Sequence, residues 1–270
     1  MKHILRGTLT SLGLMLAPAG AVFATATAAA GADQYGVEAV MNLGCERGLA
    51  RLETGMAAGN GHALSTAAQL HDEGTCVGRD PARAAALWQQ ALAAGHPDAP
   101  AALALKMGLG DGIAQDYAAA GELLQRGGVK LVADTAPDSY SLGYAYTWLQ
   151  TVRQGLRYTR TMESAGVDGT ADVGFDPRSG ETRLLGFRRN RLVDTPVGTR
   201  IDRSRSVVGQ AVSEAAEAAR ARVPRPDLAR VGHQRFREAV MIAPTVDPNA
   251  AQRTREVFEK FVKPGYAERE

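Results

Sequence analysis

Cysteine is nearly absent from this chain of 270 residues, which holds only Cys45 and Cys76. That excludes a disulfide-dense small scaffold and any four-cysteine zinc site. Aromatic residues are also scarce, at 6%, so the core must be built mainly from Ala, Leu and Val. The twelve prolines form no proline-rich run, which excludes a long polyproline spacer. No apolar run matches the ~20 residues of a strong membrane span, and the nearest approach is the N-terminus. Patterns that carry chemistry are missing too: G-x-S-x-G, the P-loop, the dinucleotide fingerprint, H-E-x-x-H and C-x-x-C.

The five histidines (His3, His62, His71, His96 and His233) have no acidic or cysteine neighbour at ligand spacing. They are expected to be structural or exposed, with His62 and His96 in loops between helices. Gly108-Leu109-Gly110-Asp111-Gly112 resembles a cofactor loop only locally, because it falls between two helices. Nothing in the sequence sets two carboxylates across a cleft as acid and base. The expectation is no catalytic residue, no metal and no cofactor.

What is present is an ordinary globular composition, 45% hydrophobic and 22% charged. The net charge of +2 is unevenly spread: residues 33–150 carry −6 and residues 151–270 carry +6. This swing supports two domains. The positive half is rich in arginine, with Arg183, Arg188, Arg189, Arg191, Arg200, Arg203 and Arg205 close in sequence. Interspersed carboxylates favour a solvated surface over an anion-binding one, and no nucleic-acid partner is expected.

Residues 1–32 have the order of a secretory signal peptide. Lys2 and Arg6 precede an apolar stretch from Leu9 to Phe23, and Ala30 and Ala32 supply small side chains for cleavage near Ala32. The expected location is the periplasm of a bacterium. The rival is an uncleaved inner-membrane anchor that leaves the chain on the periplasmic side, so membrane contact stays open.

A repeat of 36 residues runs from about Gly44 to Gly128. Gly74, Cys76, Asp80 and Ala84 recur as Gly110, Gly112, Asp116 and Ala120, and Gly59 and Ala63 as Gly95 and Ala99. Asp80 followed by Pro81 is a helix start. Ala84, Leu87, Trp88 and Ala91 make one apolar stripe, and Gly95 is a left-handed helix end. The spacing predicts a short solenoid of antiparallel helix pairs. Gly74 to Gly95, with Arg83-Ala84 and Leu87-Trp88 at the signature positions, resembles the Sel-one-like repeat, a relative of the tetratricopeptide repeat. The second copy keeps Gly110, Gly112, Ile113, Asp116-Tyr117 and Ala120 but ends about a turn early after Leu124. Within this repeat Cys76 takes the place of the loop glycine, and Cys45 starts the preceding antiparallel helix. Both sulfurs then lie at one end of the stack. A Cys45–Cys76 disulfide is expected in an oxidising compartment, against the alternative of two buried thiols.

Ser141 to Leu156 reads as a helix that leads a second domain and caps the solenoid. Alternation at Ala171, Val173 and Phe175 predicts a strand, and Asp176 to Gly180 a turn. Leu185 and Phe187 predict a second strand. Val208, Ala211, Val212, Ala215 and Ala219 mark a helix, Phe236, Val240 and Ile242 a third strand, and Phe258, Phe261 and Val262 a terminal helix. The layout is α+β. Tyr158, Gly166-Val167-Asp168-Gly169-Thr170, Val173-Gly174-Phe175, Ala215-Ala216 and Pro224/Pro226 resemble the C-terminal domain shared by TonB and TolA proteins. Thr159 stands where that family has Pro, and Arg189-Asn190-Arg191 where it has Ser-Ser-Gly.

The expected organisation is a signal peptide (1–32), a helical repeat domain (33–134), and a TonB-like α+β domain with leading and terminal helices (135–270). The TonB resemblance implies that a partner's extended segment adds to a sheet edge. The candidate strand is the third, with Arg235, Arg237, Ala239 and Met241. The expected function is a periplasmic adaptor that binds a protein of the envelope through the repeats or this edge. The alternative is a TonB-type energy transducer, held at the inner membrane, whose partners are outer-membrane or inner-membrane transport components.

Overall fold

The computed structural model describes residues 34–189 and 199–243. The leader read over 1–32, Arg191 and the terminal helix around Phe258 to Val262 lie outside them, as do the side chains of Arg189 and Arg200. The protein is α+β: helices first, then a small antiparallel sheet with a long helix inserted in it.

A short helix α1 (Val37–Leu43) precedes the repeats, which form α2 (Cys45–Ala57), α3 (Gly61–Glu73), α4 (Pro81–Ala93), α5 (Ala99–Leu109) and α6 (Tyr117–Arg126). Their period is visible in the caps. Asp80 accepts a hydrogen bond from the Arg83 amide, and Asp116 accepts from the Ala118 and Ala119 amides. Each carboxylate thereby satisfies orphan donors at a helix start. Gly74 and Gly110 close α3 and α5 in the left-handed conformation, at φ +75° and +69°. The predicted stripe of Ala84, Leu87, Trp88 and Ala91 is buried. As the early Gly127-Gly128 suggested, α6 has 10 residues where α4 has 13.

Helix α7 (Ser139–Gly155) joins the two halves. It starts at Asp138, whose carboxylate accepts from the Ser141 amide and hydroxyl. Every residue from Ser141 to Val152 is buried, because α5 and α6 pack on one side and α9 and the sheet on the other. The α6–α7 contact is backbone to backbone. A Cβ on Gly143 would lie 2.0 Å from the Tyr117 carbonyl, and one on Gly121 would lie 1.8 Å from that of Ser139. One hydrophobic cluster runs from Val40 to Ile242 through this helix.

The sheet contains β1 (Val132–Ala133), β2 (Gly169–Asp176), β3 (Glu181–Arg189) and β4 (Phe236–Ile242), in the order β1-β4-β2-β3. All neighbours are antiparallel. A short α8 (Arg160–Ser164) precedes β2, and α9 (Thr199–Arg222), longer at its start than the apolar pattern indicated, packs on β3. Strand β1 lies before residue 135, so the first half contributes to the sheet of the second.

One expectation needs correction. Leu185 and Phe187 do not share a face. Asp172 pairs with Gly186 and Val173 with Leu184, which leaves Leu185 as the extra residue of a β-bulge. Leu184 therefore turns in, its side chain 3.9 Å from the Cβ position of Gly209 on α9. Leu185 is 43% exposed and lies over Gly174 on the opposite face.

Candidate functional site

The strand predicted near residue 235 is β4, and its alternation is clear. Phe236, Val240 and Ile242 are buried, whereas Arg237, Ala239 and Met241 are exposed on the other face. Arg235 is exposed just ahead of the strand, its Nε 3.7 Å from the Asp176 carboxylate. All four candidate residues therefore lie on one side of β4, with Met241 at 72% exposure.

The two edges of β4 are not equivalent. Toward β2 it is paired along its length, from Phe236 opposite Phe175 to Ile242 opposite Gly169. Toward β1 it is paired only at Phe236 and Arg237. From Glu238 to Ile242 that edge has no strand partner among the described residues. Unpaired backbone N–H and C=O groups of this kind are the template for strand addition.

Beside the open edge is a groove of about 290 Å³ between β4 and α7, lined in part by Lys130, Tyr146, Gln150, Arg153 and Glu238. Glu238 is the inward-facing carboxylate of β4. Its Oε1 accepts a 2.8 Å hydrogen bond from Gln150 Nε2, while its Oε2 is buried without a hydrogen-bond partner among the described residues. Burial pushes the carboxyl above the ordinary value, opposed by the Gln150 hydrogen bond and the charge of Arg153. Burial likewise raises the Tyr146 phenol to about 12, so it stays protonated. In the sequence Glu238 is marked only by its register, an acid at an inward position between Phe236 and Val240.

The cysteines are joined as expected: Cys45 and Cys76 form a disulfide with Cα atoms 5.2 Å apart. Cys76 has φ +62°, so it has taken the conformation as well as the place of the loop glycine. Nearby is an ion network that the sequence did not reveal. The ammonium of Lys106, whose side chain is 6% exposed, contacts the carboxylates of Asp72 and Asp111, the latter at 3.0 Å. Arg79 reaches Asp111 at 3.0 Å, and the Trp88 indole donates to Asp72. Burial alone would raise the Asp111 carboxyl, but the hydrogen bonds and charges of Lys106 and Arg79 outweigh it and hold it below the ordinary value. These groups come from separate helices and loops and meet only in the stack.

The histidines correct a second expectation. His62 lies in the first turn of α3 and not in a loop, and it meets His96 across the repeat, Nδ1 to Nε2 at 3.2 Å. Ser65 also contacts His96 Nε2 at 3.2 Å. Burial, then the neighbouring His62, lowers the His96 pKa, with Asp98 opposing. Among the described residues no three His, Cys, Asp or Glu side chains are placed to hold a metal ion.

Four arginines of the run have described side chains. Arg183 pairs with Glu181 at 3.7 Å and Arg188 with Asp172 at 3.9 Å. Arg203 and Arg205 are exposed on α9. No helix among the described residues is long and apolar enough to cross a membrane. No protein-family model and no curated protein matches this chain.

Proposed function

We propose that this chain is an exported adaptor of the bacterial envelope that binds a protein partner by adding the partner's extended segment to the β4 edge. The observation that carries this reading is the outer edge of β4 from Glu238 to Ile242, which has no strand partner among the described residues, with Met241 exposed beside it. Main-chain hydrogen bonds would supply affinity there, and alternate side chains of the segment would meet Ala239 and Met241 on one face and the Glu238 groove on the other. The resemblance of the C-terminal half to the TonB and TolA C-terminal domain supports the same mode. The Sel-one-like repeats would supply a second, helical contact surface. The disulfide fits an oxidising compartment, and with the signal-like order of residues 1–32 it supports the periplasm.

Affinity capture from the envelope of the organism that makes this protein tests the reading. A partner recovered with the wild type should be lost with the pair Ala239→Asp and Met241→Asp, and kept with the remote exposed variant Arg205→Asp. Equal recovery with all three would remove β4 from the interface.

A further inference from the structure

On the other side of α7, away from the β4 edge, the protein carries a groove of about 300 Å³ between the β2–β3 turn and the segment that follows α9. Its origin is legible in the chain. The turn ends in Gly180 at φ +69°, after Asp176 has accepted from the Arg178 and Ser179 amides. On the opposite side, Pro224 and Pro226 stop α9 and hold the chain extended. That segment is tied down at two points: the Tyr117 hydroxyl donates to the Pro224 carbonyl at 2.5 Å, and the Asp227 amide donates to the Tyr140 hydroxyl at 2.7 Å. Both walls are fixed, so the groove is preformed.

Its floor is aromatic. Tyr144 and Trp148 line it, and Trp148 is locked by a stack on Phe175 (5.0 Å, 9° between planes) and a 2.8 Å hydrogen bond to Thr182. Burial raises the Tyr144 phenol to about 12, so it is present as a donor at neutral pH. No hydrogen bond joins that hydroxyl to another described residue. Leu228, 54% exposed, extends the apolar wall outward.

The remaining lining is positive. Arg178, Arg220 and Arg225 all border the groove, and among the described residues no Asp or Glu does. Arg220 pairs with the exposed Glu217 at 3.5 Å, and Arg178 approaches the His233 ring at 3.2 Å. Arg225 has no ion-pair or hydrogen-bond partner among the described residues. On the sheet, Arg183 and Arg235 each have a carboxylate at 3.7 Å, Glu181 and Asp176. In the groove Arg220 has Glu217, whereas no carboxylate pairs with Arg178 or Arg225 among the described residues. Guanidinium groups pair with carboxylates in a planar, bidentate fashion that ammonium groups do not offer.

We infer that this groove is a second docking site, which takes an acidic polypeptide segment that inserts one bulky apolar side chain over Tyr144 and Trp148. The choice among anionic partners follows from shape. A membrane surface requires apolar groups that protrude, and here the floor is recessed. A nucleic-acid backbone requires basic groups along a track, and here the three arginines border a single groove. Acidic side chains on either side of an inserted Phe, Trp or Leu satisfy both the rim and the floor. The site shares no lining residue with the β4 groove, so it is independent of the strand-addition reading.

The test uses the full mature chain and fluorescein-labelled synthetic peptides, read by fluorescence anisotropy. A pentapeptide of four Asp/Glu residues around a central Phe, with Trp and Leu versions, is expected to bind saturably. Replacing the central residue by Ala, or the four acids by Lys, should weaken binding at least tenfold. The double variant Arg178→Glu with Arg225→Glu should do the same, and the milder Arg225→Ala should weaken it measurably if the double variant fails to fold. Absence of saturable binding to millimolar peptide, or equal binding of the Ala and Lys controls, would overturn the inference. Tighter binding of phosphatidylglycerol vesicles or of single-stranded DNA than of any acidic peptide would overturn the peptide assignment.

Discussion

Cys76 and Gly112 occupy the same turn of successive repeats, 36 residues apart, and share a left-handed backbone, at φ +62° and +76°. At Gly112 the conformation comes with a close approach, since a Cβ there would lie 2.0 Å from the Pro81 carbonyl oxygen. At Cys76 the side chain is accommodated and leads to the disulfide. The strained backbone and the covalent staple are therefore coupled at one residue.

This coupling gives a mutant order. Reduction, or Cys45→Ala with Cys76→Ala, should lower stability by about 3.5 kcal/mol if chain entropy dominates, given the separation of 31 residues. With Cys45→Ala as background, Cys76→Gly should be about 1 kcal/mol more stable than Cys76→Ala, because only glycine takes positive φ without cost. Urea denaturation of the wild type and the two double variants checks both steps. A Gly variant no better than Ala would show that the turn relaxes once the bridge is gone.

The α6–α7 contact should tolerate no side chain at its closest point. Gly143→Ala places a methyl against the Tyr117 carbonyl and should cost about 3 kcal/mol by forcing the helices apart. Gly155→Ala, whose nearest neighbour would be the Ala215 side chain at 3.3 Å, should cost much less. Thermal unfolding of the pair measures the difference.

Lys106 should behave as the keystone of its network. Lys106→Met leaves Asp72 and Asp111 facing each other and should destabilise by about 2 kcal/mol at neutral pH; both carboxylates are part-exposed, which limits the loss. The Asp111 carboxyl has a folded-state pKa below its unfolded value, so its contribution is present above the ordinary carboxylate range and is lost as pH falls through the folded value. Denaturation midpoints between neutral pH and pH 3 should therefore fall less steeply in Lys106→Met than in the wild type.

Glu238 has the opposite sign. Its folded-state pKa is raised, so the native state holds the proton more tightly than the unfolded chain. Stability is then lost as pH rises from the ordinary carboxylate value through the raised one. Glu238→Gln should unfold at a higher temperature than the wild type at pH 7, with the gap closing below about pH 4. A gap that persists in acid would place the effect in packing and not in charge.

The features legible in the sequence were those set by local chemistry. Asp80-Pro81, Gly74 and the Ala84–Ala91 stripe fixed helix ends and faces, and the period carried them to Asp116 and Gly110. The same phase brought Cys45 to Cys76. Strand β4 was readable because Phe236, Val240 and Ile242 alternate. What escaped was set by contacts distant in sequence. The bulge at Leu185 breaks a two-residue period that Leu185 and Phe187 seemed to continue. Strand β1 has two residues and exists only because β4 lies beside it. The Lys106–Asp72 and His62–His96 contacts each span 34 positions, and neither carries a local motif.

The central claim is that a partner strand lies along β4. Its most direct test is site-specific photocrosslinking in living cells, with a photoreactive residue at position 239 or 241 and a control at exposed Arg205. The account predicts a covalent adduct to one second polypeptide from positions 239 and 241, mapping to a single extended segment of it, and none from 205. Adducts only within this chain, or the same products from all three positions, would contradict it.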